Sequence, residues 1–174
     1  MKIDALPPRS PDGGVFVFVE IPKGSHNKYE FDDELGVFRL DRALYSAVYY
    51  PTEYGFIPGT LGEDDDALDA LVMVDEPTFP GCLIEARLVG AMAIESTSGR
   101  REHKLLAVPV QDPRFAEYGD VREVPEHRLR EIEHFFEVFR DLEERSLTGR
   151  GWIGGEEAEH VLALAIERAR DGTR

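Results

Sequence analysis

The spacing of hydrophobic residues changes near Pro125. Between Val15 and Val110, short apolar runs rich in Val, Phe, Tyr and Ile alternate with turn sequences that contain Gly, Pro, Asp and Ser. This pattern predicts short strands of a barrel or a sandwich. Beyond Pro125, apolar residues recur at intervals of three and four, which predicts an amphipathic helix. Its apolar stripe consists of Leu129, Ile132, Phe136 and Phe139.

A second helix is predicted from Glu156 to Arg168, after the pair Gly154-Gly155. Its apolar stripe is predicted to be Val161, Leu164 and Ile166. Strands therefore come first and helices last, an order typical of an α+β fold with a mostly antiparallel sheet.

Length and charge narrow the classes of function. The 174 residues suit one domain, and we expect a flexible leader over residues 1–14 and a single domain over residues 15–174. The formal net charge of −15 disfavours binding to nucleic acid and to anionic membranes. No apolar run approaches the roughly 20 residues of a membrane-spanning helix. The single cysteine, Cys82, is compatible with a cytoplasmic protein without disulfides.

The most unusual segment is the acidic loop, Gly62–Asp69, which holds five carboxylates and leads directly into the apolar run Ala70–Val74. Like charges about 4 Å apart repel by roughly 4 kcal/mol at an effective dielectric of 20. A divalent metal ion would relieve this repulsion, although a solvated acidic turn is the alternative. An EF-hand loop is excluded, because its sixth and twelfth positions would be Asp69 and Asp75 instead of Gly and Glu.

Other polar residues stand out against apolar surroundings. Glu20 ends an apolar run in which a carboxylate is unusual, although a strand-end ion pair would also explain it. The residues Lys28 and Glu30 share one strand face, as do Glu102 and Lys104. An ordinary half-exposed strand is the simpler explanation of the first pair, and an exposed ion pair is the simpler explanation of the second.

A Pro- and Gly-containing aromatic segment, residues 49–58, is predicted to be a shaped loop. Its residues Tyr50 and Tyr54 are either packed in the core or placed to donate hydroxyl hydrogen bonds to a phosphate oxygen. The sequence contains no P-loop, and no zinc-binding His pair or nucleophile triad is recognisable.

Together, these segments resemble the soluble family I inorganic pyrophosphatases of bacteria in order and spacing, over about residues 17–152. The matching segments are Val19-Glu20-Ile21-Pro22, Asn27-Lys28-Tyr29-Glu30, Asp41-Arg42, Tyr50-Pro51-Thr52-Glu53-Tyr54-Gly55-Phe56-Ile57, the acidic loop, Glu76-Pro77-Thr78-Phe79-Pro80-Gly81 and Glu131-Ile132-Glu133-His134-Phe135-Phe136.

The resemblance implies an OB-like, five-stranded antiparallel β-barrel flanked by two α-helices from the C-terminal half of the chain. It also implies a homohexamer that hydrolyses pyrophosphate to two phosphates with Mg²⁺, for which Mn²⁺ or Zn²⁺ could substitute. By the same resemblance, Asp66 takes a proton from the attacking water. The implied metal ligands are Asp64, Asp69, Glu102, Glu20 and Glu30, and the implied substrate-binding residues are Lys28, Arg42, Tyr50, Tyr54, Lys104 and Arg140.

The chain departs from the family pattern at several of these positions. In the acidic loop, Asp65 and Ala67 replace a Gly and a Pro, and we expect Asp to tolerate left-handed backbone there. Around Thr97 the usual aspartate is missing, and Glu95 is the nearest substitute.

Two further departures lie at positions implied to bind metal or substrate. Glu102 replaces an aspartate, and Phe139-Arg140 replaces a Tyr-Lys pair. We expect Phe139 to pack in the core. The departures leave two alternatives to a working pyrophosphatase: a weakened paralogue that binds phosphate, metal or a partner protein, and an enzyme with altered substrate or metal selectivity.

Overall fold

The computed structural model describes residues 3, 6–96, 99–143 and 147–172. The regular elements in these ranges are eight strands and two α-helices, with short 3₁₀ helices between them. The strands are β1 (Val15–Ile21), β2 (Asn27–Asp32), β3 (Val37–Ala43), β4 (Glu53–Phe56), β5 (Asp69–Val72), β6 (Leu83–Ser96), β7 (Arg101–Pro109) and β8 (Leu147–Gly154). The helices are α1 (Glu126–Val138) and α2 (Gly155–Gly172).

Five strands form a closed ring of hydrogen-bonded neighbours. The sheet runs in the order β1-β4-β5-β7-β6-β8, and an additional pairing of β1 with β6 joins its two sides. Closure requires a close approach at Gly55, where a Cβ atom would lie 2.0 Å from the carbonyl oxygen of Phe18. The α+β fold with a five-stranded barrel and two C-terminal helices is therefore confirmed.

The prediction that the barrel is antiparallel is wrong for one pair. Strands β5 and β7 run parallel, with Ala70 opposite Leu105. The reason is topological, because a closed ring of five strands cannot alternate in direction all the way round. The other four pairs of the ring are antiparallel, so β5 and β7 run in the same direction. Outside the ring, β8 extends the sheet by pairing with β6, and β2 and β3 form a separate hairpin.

Two groups of buried apolar side chains pack the two helices against the barrel. One lies between the barrel and α2, and the other packs α1 against β5, β6 and β7. The predicted stripe of α1 is confirmed at Ile132, Phe136 and Phe139, which are buried. The predicted stripe of α2 is wrong at Leu164, which is 38% exposed. The other two predicted residues, Val161 and Ile166, are partly buried against the core, and the fully buried residues are Ala158, Leu162 and Ala165.

The described part of the N-terminal segment contacts the barrel. Arg9 forms a β-bridge with Val15 and an ion pair with Glu159 of α2 at 2.5 Å. Ser10 is buried and accepts a hydrogen bond from the amide of Gly14. The flexibility expected of residues 1–14 stays a prediction. In the described ranges, no helix combines the length and apolar character needed to cross a membrane.

Candidate active site

Most of the predicted substrate-binding residues line one cleft, which we call the basic cleft. It lies between the β2–β3 hairpin, the barrel strands β4, β5 and β7, and the end of α1. Its lining residues are Lys28, Arg42, Tyr50, Tyr54, Asp69, Glu102, Lys104, Phe136, Phe139, Arg140 and Leu147. Residues that are up to 119 positions apart in the sequence, Lys28 and Leu147, thus face the same space.

Lys104 stands at the floor of the basic cleft. It is 5% exposed, and its ammonium group forms an ion pair with Asp69. The same nitrogen lies 3.5 Å from the hydroxyl of Tyr54 and 5.4 Å from the ring centroids of Tyr54 and Phe136. The exposed Glu102–Lys104 ion pair that the sequence left open is therefore not what β7 forms.

Both predicted tyrosines line the cleft while packing in the core. The ring of Tyr50 lies 4.7 Å from that of Phe135 and 5.6 Å from that of Tyr54. Burial raises the pKa of both hydroxyls above the ordinary value of 10.0. They therefore remain protonated at neutral pH and can donate hydrogen bonds.

The two arginines of the cleft share one carboxylate, that of Glu143. Arg42 donates from Nε to Oε1 at 2.8 Å and from Nη2 to Oε2 at 3.0 Å, and Arg140 donates from Nε to Oε2 at 3.3 Å. Sequence reasoning missed Glu143. Its spacing of three residues from Arg140 was the available signal.

A second acidic residue holds cations at the cleft mouth. Asp41 pairs with Lys28 at 3.2 Å and with the neighbouring Arg42. Lys28 also pairs with Glu30, as their shared strand face predicted. Sequence reasoning quoted Asp41 only as part of a motif and assigned it no role.

The acidic loop folds as a tight turn beside the cleft. The amide of Gly62 donates to the carbonyl of Asp66 at 2.7 Å, and the amide of Asp66 donates to Oδ1 of Asp64 at 3.4 Å. Asp65 has a φ of 69°, the left-handed conformation that a glycine would adopt there. The expectation that Asp tolerates this conformation is confirmed. The exposed Glu63 lies 3.5 Å from Arg168 of α2.

Carboxyl groups of this region raise each other's pKa. Burial, opposed by a hydrogen bond from the amide of Phe31, raises the pKa of Glu20 to about 7. Burial also raises the pKa of Glu102 and of Asp66, and the charge of Asp69 adds to all three shifts. Burial and, to a smaller extent, the neighbouring negative charges thus disfavour the ionised carboxylates, and a bound cation would offset the charge repulsion.

This donor set has the chemistry that a hard divalent cation requires, since Mg²⁺ and related ions bind carboxylate oxygen. In the described ranges, however, no group of three or more His, Cys, Asp or Glu side chains is already gathered around a common point. The ligand roles of Asp64, Asp69, Glu102, Glu20 and Glu30 stay predictions.

The structure also shows the surroundings of residues at which this chain departs from the family pattern. Glu95 accepts hydrogen bonds from Arg101 at 3.0 Å and from Arg150 at 3.1 Å, so two guanidinium groups already neutralise its carboxylate. Phe139 is 6% exposed and packs against Phe135 and Phe136, which confirms its role in the core. Thr97 lies outside the described residues.

The comparisons with known proteins agree with this arrangement. The family model described as inorganic pyrophosphatase matches residues 17–170. This chain belongs to the inorganic pyrophosphatase family. An inorganic pyrophosphatase of Streptomyces coelicolor is 51% identical over 156 residues, which cover 89% of this chain and 95% of the relative. One of Geobacillus stearothermophilus is 47% identical over 154 residues, covering 88% and 93%.

A solved structure extends the family likeness to three dimensions. The inorganic pyrophosphatase of Thermus thermophilus superposes with a TM-score of 0.92 at 37% identity, covering 98% of this chain and 99% of that one. The pyrophosphatase fold thus accounts for the closed ring of strands and for the two C-terminal helices packed on it.

Proposed function

We propose that this pyrophosphatase family member hydrolyses inorganic pyrophosphate to two phosphates in the basic cleft, with a divalent metal ion as cofactor. The observation that carries the proposal is the meeting of Lys28, Arg42, Lys104 and Arg140 in one cleft that borders the acidic loop. Cations on one side suit the oxygens of a compact polyanion, and carboxylates on the other suit the metal ions that accompany it.

Substrate binding follows from the charges of the cleft. The ammonium and guanidinium groups pair with phosphate oxygens, and the arginines can do so with two parallel N–H groups each. The hydroxyls of Tyr50 and Tyr54 stay protonated, so they add neutral donors without adding negative charge. We assign to these groups the alignment of the scissile P–O–P bridge, since phosphoryl transfer depends mainly on positioning and charge stabilisation.

Proton transfer is assigned to Asp66. Its pKa is raised by partial desolvation and by the charges of the neighbouring Asp64 and Asp69, so its carboxylate is a stronger base than that of an isolated aspartate. The metal ions, held by Asp64, Asp69, Glu102, Glu20 and Glu30, would supply a water of lowered pKa and neutralise charge on the phosphates. Mg²⁺ is the proposed ion, and Mn²⁺ and Zn²⁺ are possible substitutes.

The proposal also includes the extent of the domain, the location of the protein and its assembly. We propose a single domain over residues 15–174, a cytoplasmic location and a homohexamer. Sedimentation would test the assembly, since a hexamer has six times the 19.6 kDa mass of one chain.

Phosphate release from pyrophosphate tests the function directly. We expect turnover with millimolar Mg²⁺, loss of turnover with a chelator, and a fall in kcat of at least about 100-fold in Asp66→Asn, because a positioned base contributes roughly 10²–10⁴-fold. Asp65→Asn is the matched control, since it removes an adjacent charge from the same loop. Absence of turnover in the wild type, or equal rates in Asp66→Asn and the control, would contradict the proposal.

The buried Phe139 and the neutralised Glu95 favour one alternative, a weakened paralogue that binds pyrophosphate without cleaving it. Calorimetry distinguishes the two, because pyrophosphate that binds and stays intact for hours supports the alternative.

A further inference from the structure

We propose that Glu143 is a positioning residue that sets the orientation of Arg42 and Arg140 for pyrophosphate. The inference rests on the proposed function of the cleft and adds to it a residue that contacts the substrate only through other side chains. Glu143 belongs to the short 3₁₀ helix Asp141–Glu143, directly after α1.

The geometry of Arg42 supports the inference first. The Nε and Nη2 groups of its guanidinium face the two carboxylate oxygens of Glu143 in a parallel fork, at 2.8 and 3.0 Å. Its Nη1 group pairs with Asp41. Of the five N–H groups of a guanidinium, three are therefore held by described carboxylates, and two can receive phosphate oxygens. A guanidinium held in this way presents its remaining edge in one direction.

Arg140 supplies the second observation. Its Nε donates to Oε2 of Glu143 at 3.3 Å, the same oxygen that Arg42 Nη2 contacts. The guanidinium carbon of Arg140 lies 5.9 Å from the ring centroid of Phe139. One carboxylate thus joins a cation of β3 to a cation at the end of α1.

The burial of this group explains why the contacts are worth more than those of a surface ion pair. The exposed side-chain fraction is 11% for Glu143, 22% for Arg42 and 27% for Arg140. Charge-assisted hydrogen bonds strengthen as water is excluded. Two positive groups side by side in a cleft would otherwise repel each other, and Glu143 offsets that repulsion before substrate arrives.

The arginine in place of the family's usual lysine suits this arrangement. The three donors of an ammonium group share one nitrogen, whereas a guanidinium can pair with a carboxylate through Nε and direct N–H groups of separate nitrogens, in a fixed geometry, at another anion. Arg140 can therefore contact Glu143 and a phosphate at the same time.

The test compares KM with kcat. We expect Glu143→Gln to raise KM for pyrophosphate about tenfold and to change kcat less than about threefold, because a preorganised contact is present in both the ground state and the transition state. Glu126→Gln is the matched control, since it removes the carboxylate of an exposed arginine pair, Arg130–Glu126, at the other end of α1. Its KM should equal that of the wild type.

A double-mutant cycle separates positioning from a general structural role. Because lysine cannot form the parallel fork, Glu143→Gln in an Arg42→Lys background removes only the contact with Arg140 and should raise KM about threefold instead of tenfold. Glu143→Asp keeps the charge but shortens the reach, and its KM should lie between those of the wild type and Glu143→Gln. Thermal unfolding of each variant, followed by circular dichroism, confirms that folded proteins are compared.

Failure of the inference about Glu143 can be distinguished from failure of the proposed function. A wild-type KM in Glu143→Gln, or a full tenfold increase in the Arg42→Lys background, overturns the inference while the function stands. If the wild type releases no phosphate, the function fails, and calorimetric dissociation constants for pyrophosphate replace KM in the same cycle. If Glu143→Gln does not fold, Glu143→Asp with a wild-type KM overturns the inference.

Discussion

Asp65 adopts, inside the acidic loop, a backbone conformation that side chains other than those of Asn and Asp rarely enter. Its φ is 69°, and the loop closes through the hydrogen bond from the Gly62 amide to the Asp66 carbonyl. The left-handed region costs an ordinary L-residue roughly 1–2 kcal/mol, whereas a short polar side chain reduces that cost through local hydrogen bonds. The turn that positions Asp64 and Asp66 therefore survives the loss of the family's glycine.

This explanation predicts how the loop responds to substitution. Asp65→Val should lower the free energy of unfolding by about 1–2 kcal/mol, because a β-branched side chain fits left-handed backbone poorly. Asp65→Asn should stay within about 0.5 kcal/mol of the wild type. Urea unfolding at neutral pH measures both. Equal stabilities of the two variants would contradict the role given to the backbone conformation.

At the level of single residues, chemistry was easier to predict than contacts. The dense acidic loop drew attention to Asp69 and the apolar run to Lys104, and the resemblance to the pyrophosphatases selected Arg42. Their partners were harder to predict. Glu143 contacts Arg42 across 101 positions of sequence, and no local pattern encodes a contact of that separation.

Helix α2 shows how an element can be predicted correctly while its buried face is not. The helical spacing was clear, and the predicted Val161 and Ile166 are partly buried against the core, whereas Leu164 is exposed. The most buried positions, Ala158, Leu162 and Ala165, were not predicted. A small side chain contributes little to a hydrophobic pattern, yet it decides how closely a helix approaches a sheet.

The buried face of α2 predicts that alanine substitutions of two leucines differ in their effect on stability. Leu162→Ala should destabilise the protein by about 2–5 kcal/mol, because the side chain is 0% exposed and its removal leaves a cavity. Leu164→Ala should cost less than about 1 kcal/mol, since this leucine is 38% exposed. The two midpoints of urea unfolding provide the comparison. Similar losses in both variants would show that the helix is rotated relative to the structure.

The start of α2 also depends on a distant carboxylate. Asp120 accepts hydrogen bonds from the amide of Gly155 at 2.9 Å and from the amide of Arg122 at 3.1 Å. The Arg122 side chain, the largest influence, and these two amides hold the pKa of Asp120 below its usual value of 3.8. One side chain thus caps both a 3₁₀ helix and the first turn of α2.

A lowered pKa in the folded state makes this contribution depend on pH. Below about pH 4 the unfolded chain binds a proton at Asp120 that the folded chain does not, so stability decreases as the pH falls. Asp120→Asn should therefore be less stable than the wild type at pH 7, and the difference should shrink between pH 5 and pH 3. Urea titrations across that range test it. A difference that grows on acidification would reverse the assigned sign.

At the scale of the whole molecule, the net charge of −15 is distributed unevenly. Cations line the basic cleft, whereas the acidic loop beside it concentrates carboxyl groups, of which Asp66 has a raised pKa. The folded protein also places Glu102 beside Asp64 and Asp69 of this loop, and the unfolded chain separates Glu102 from them. A divalent cation should therefore bind the folded state and stabilise it.

Thermal unfolding should show that cation binding stabilises the folded state. Mg²⁺ at about 100 times its dissociation constant contributes roughly 2.7 kcal/mol, which corresponds to an increase in Tm of about 5–10 °C for a domain of this size. Asp64→Asn should remove most of this increase, whereas Glu126→Gln should retain it. Calorimetry with and without a chelator makes the measurement. An equal increase in Tm for Asp64→Asn would remove this residue from the proposed ligands.

The sequence by itself determined the fold class, the strand-rich region before Pro125, the positions of both helices, and the family. Periodicity and turn residues act over a few positions, so these features can be predicted locally. The sequence predicted a loop over residues 49–58, where β4 lies, and it did not predict β8. The tertiary structure decided which residues meet: the parallel pairing of β5 with β7, the alanine face of α2, and the carboxylate of Glu143 between two arginines. These features depend on closing the barrel and packing helices on it, which brings together groups that are distant in sequence.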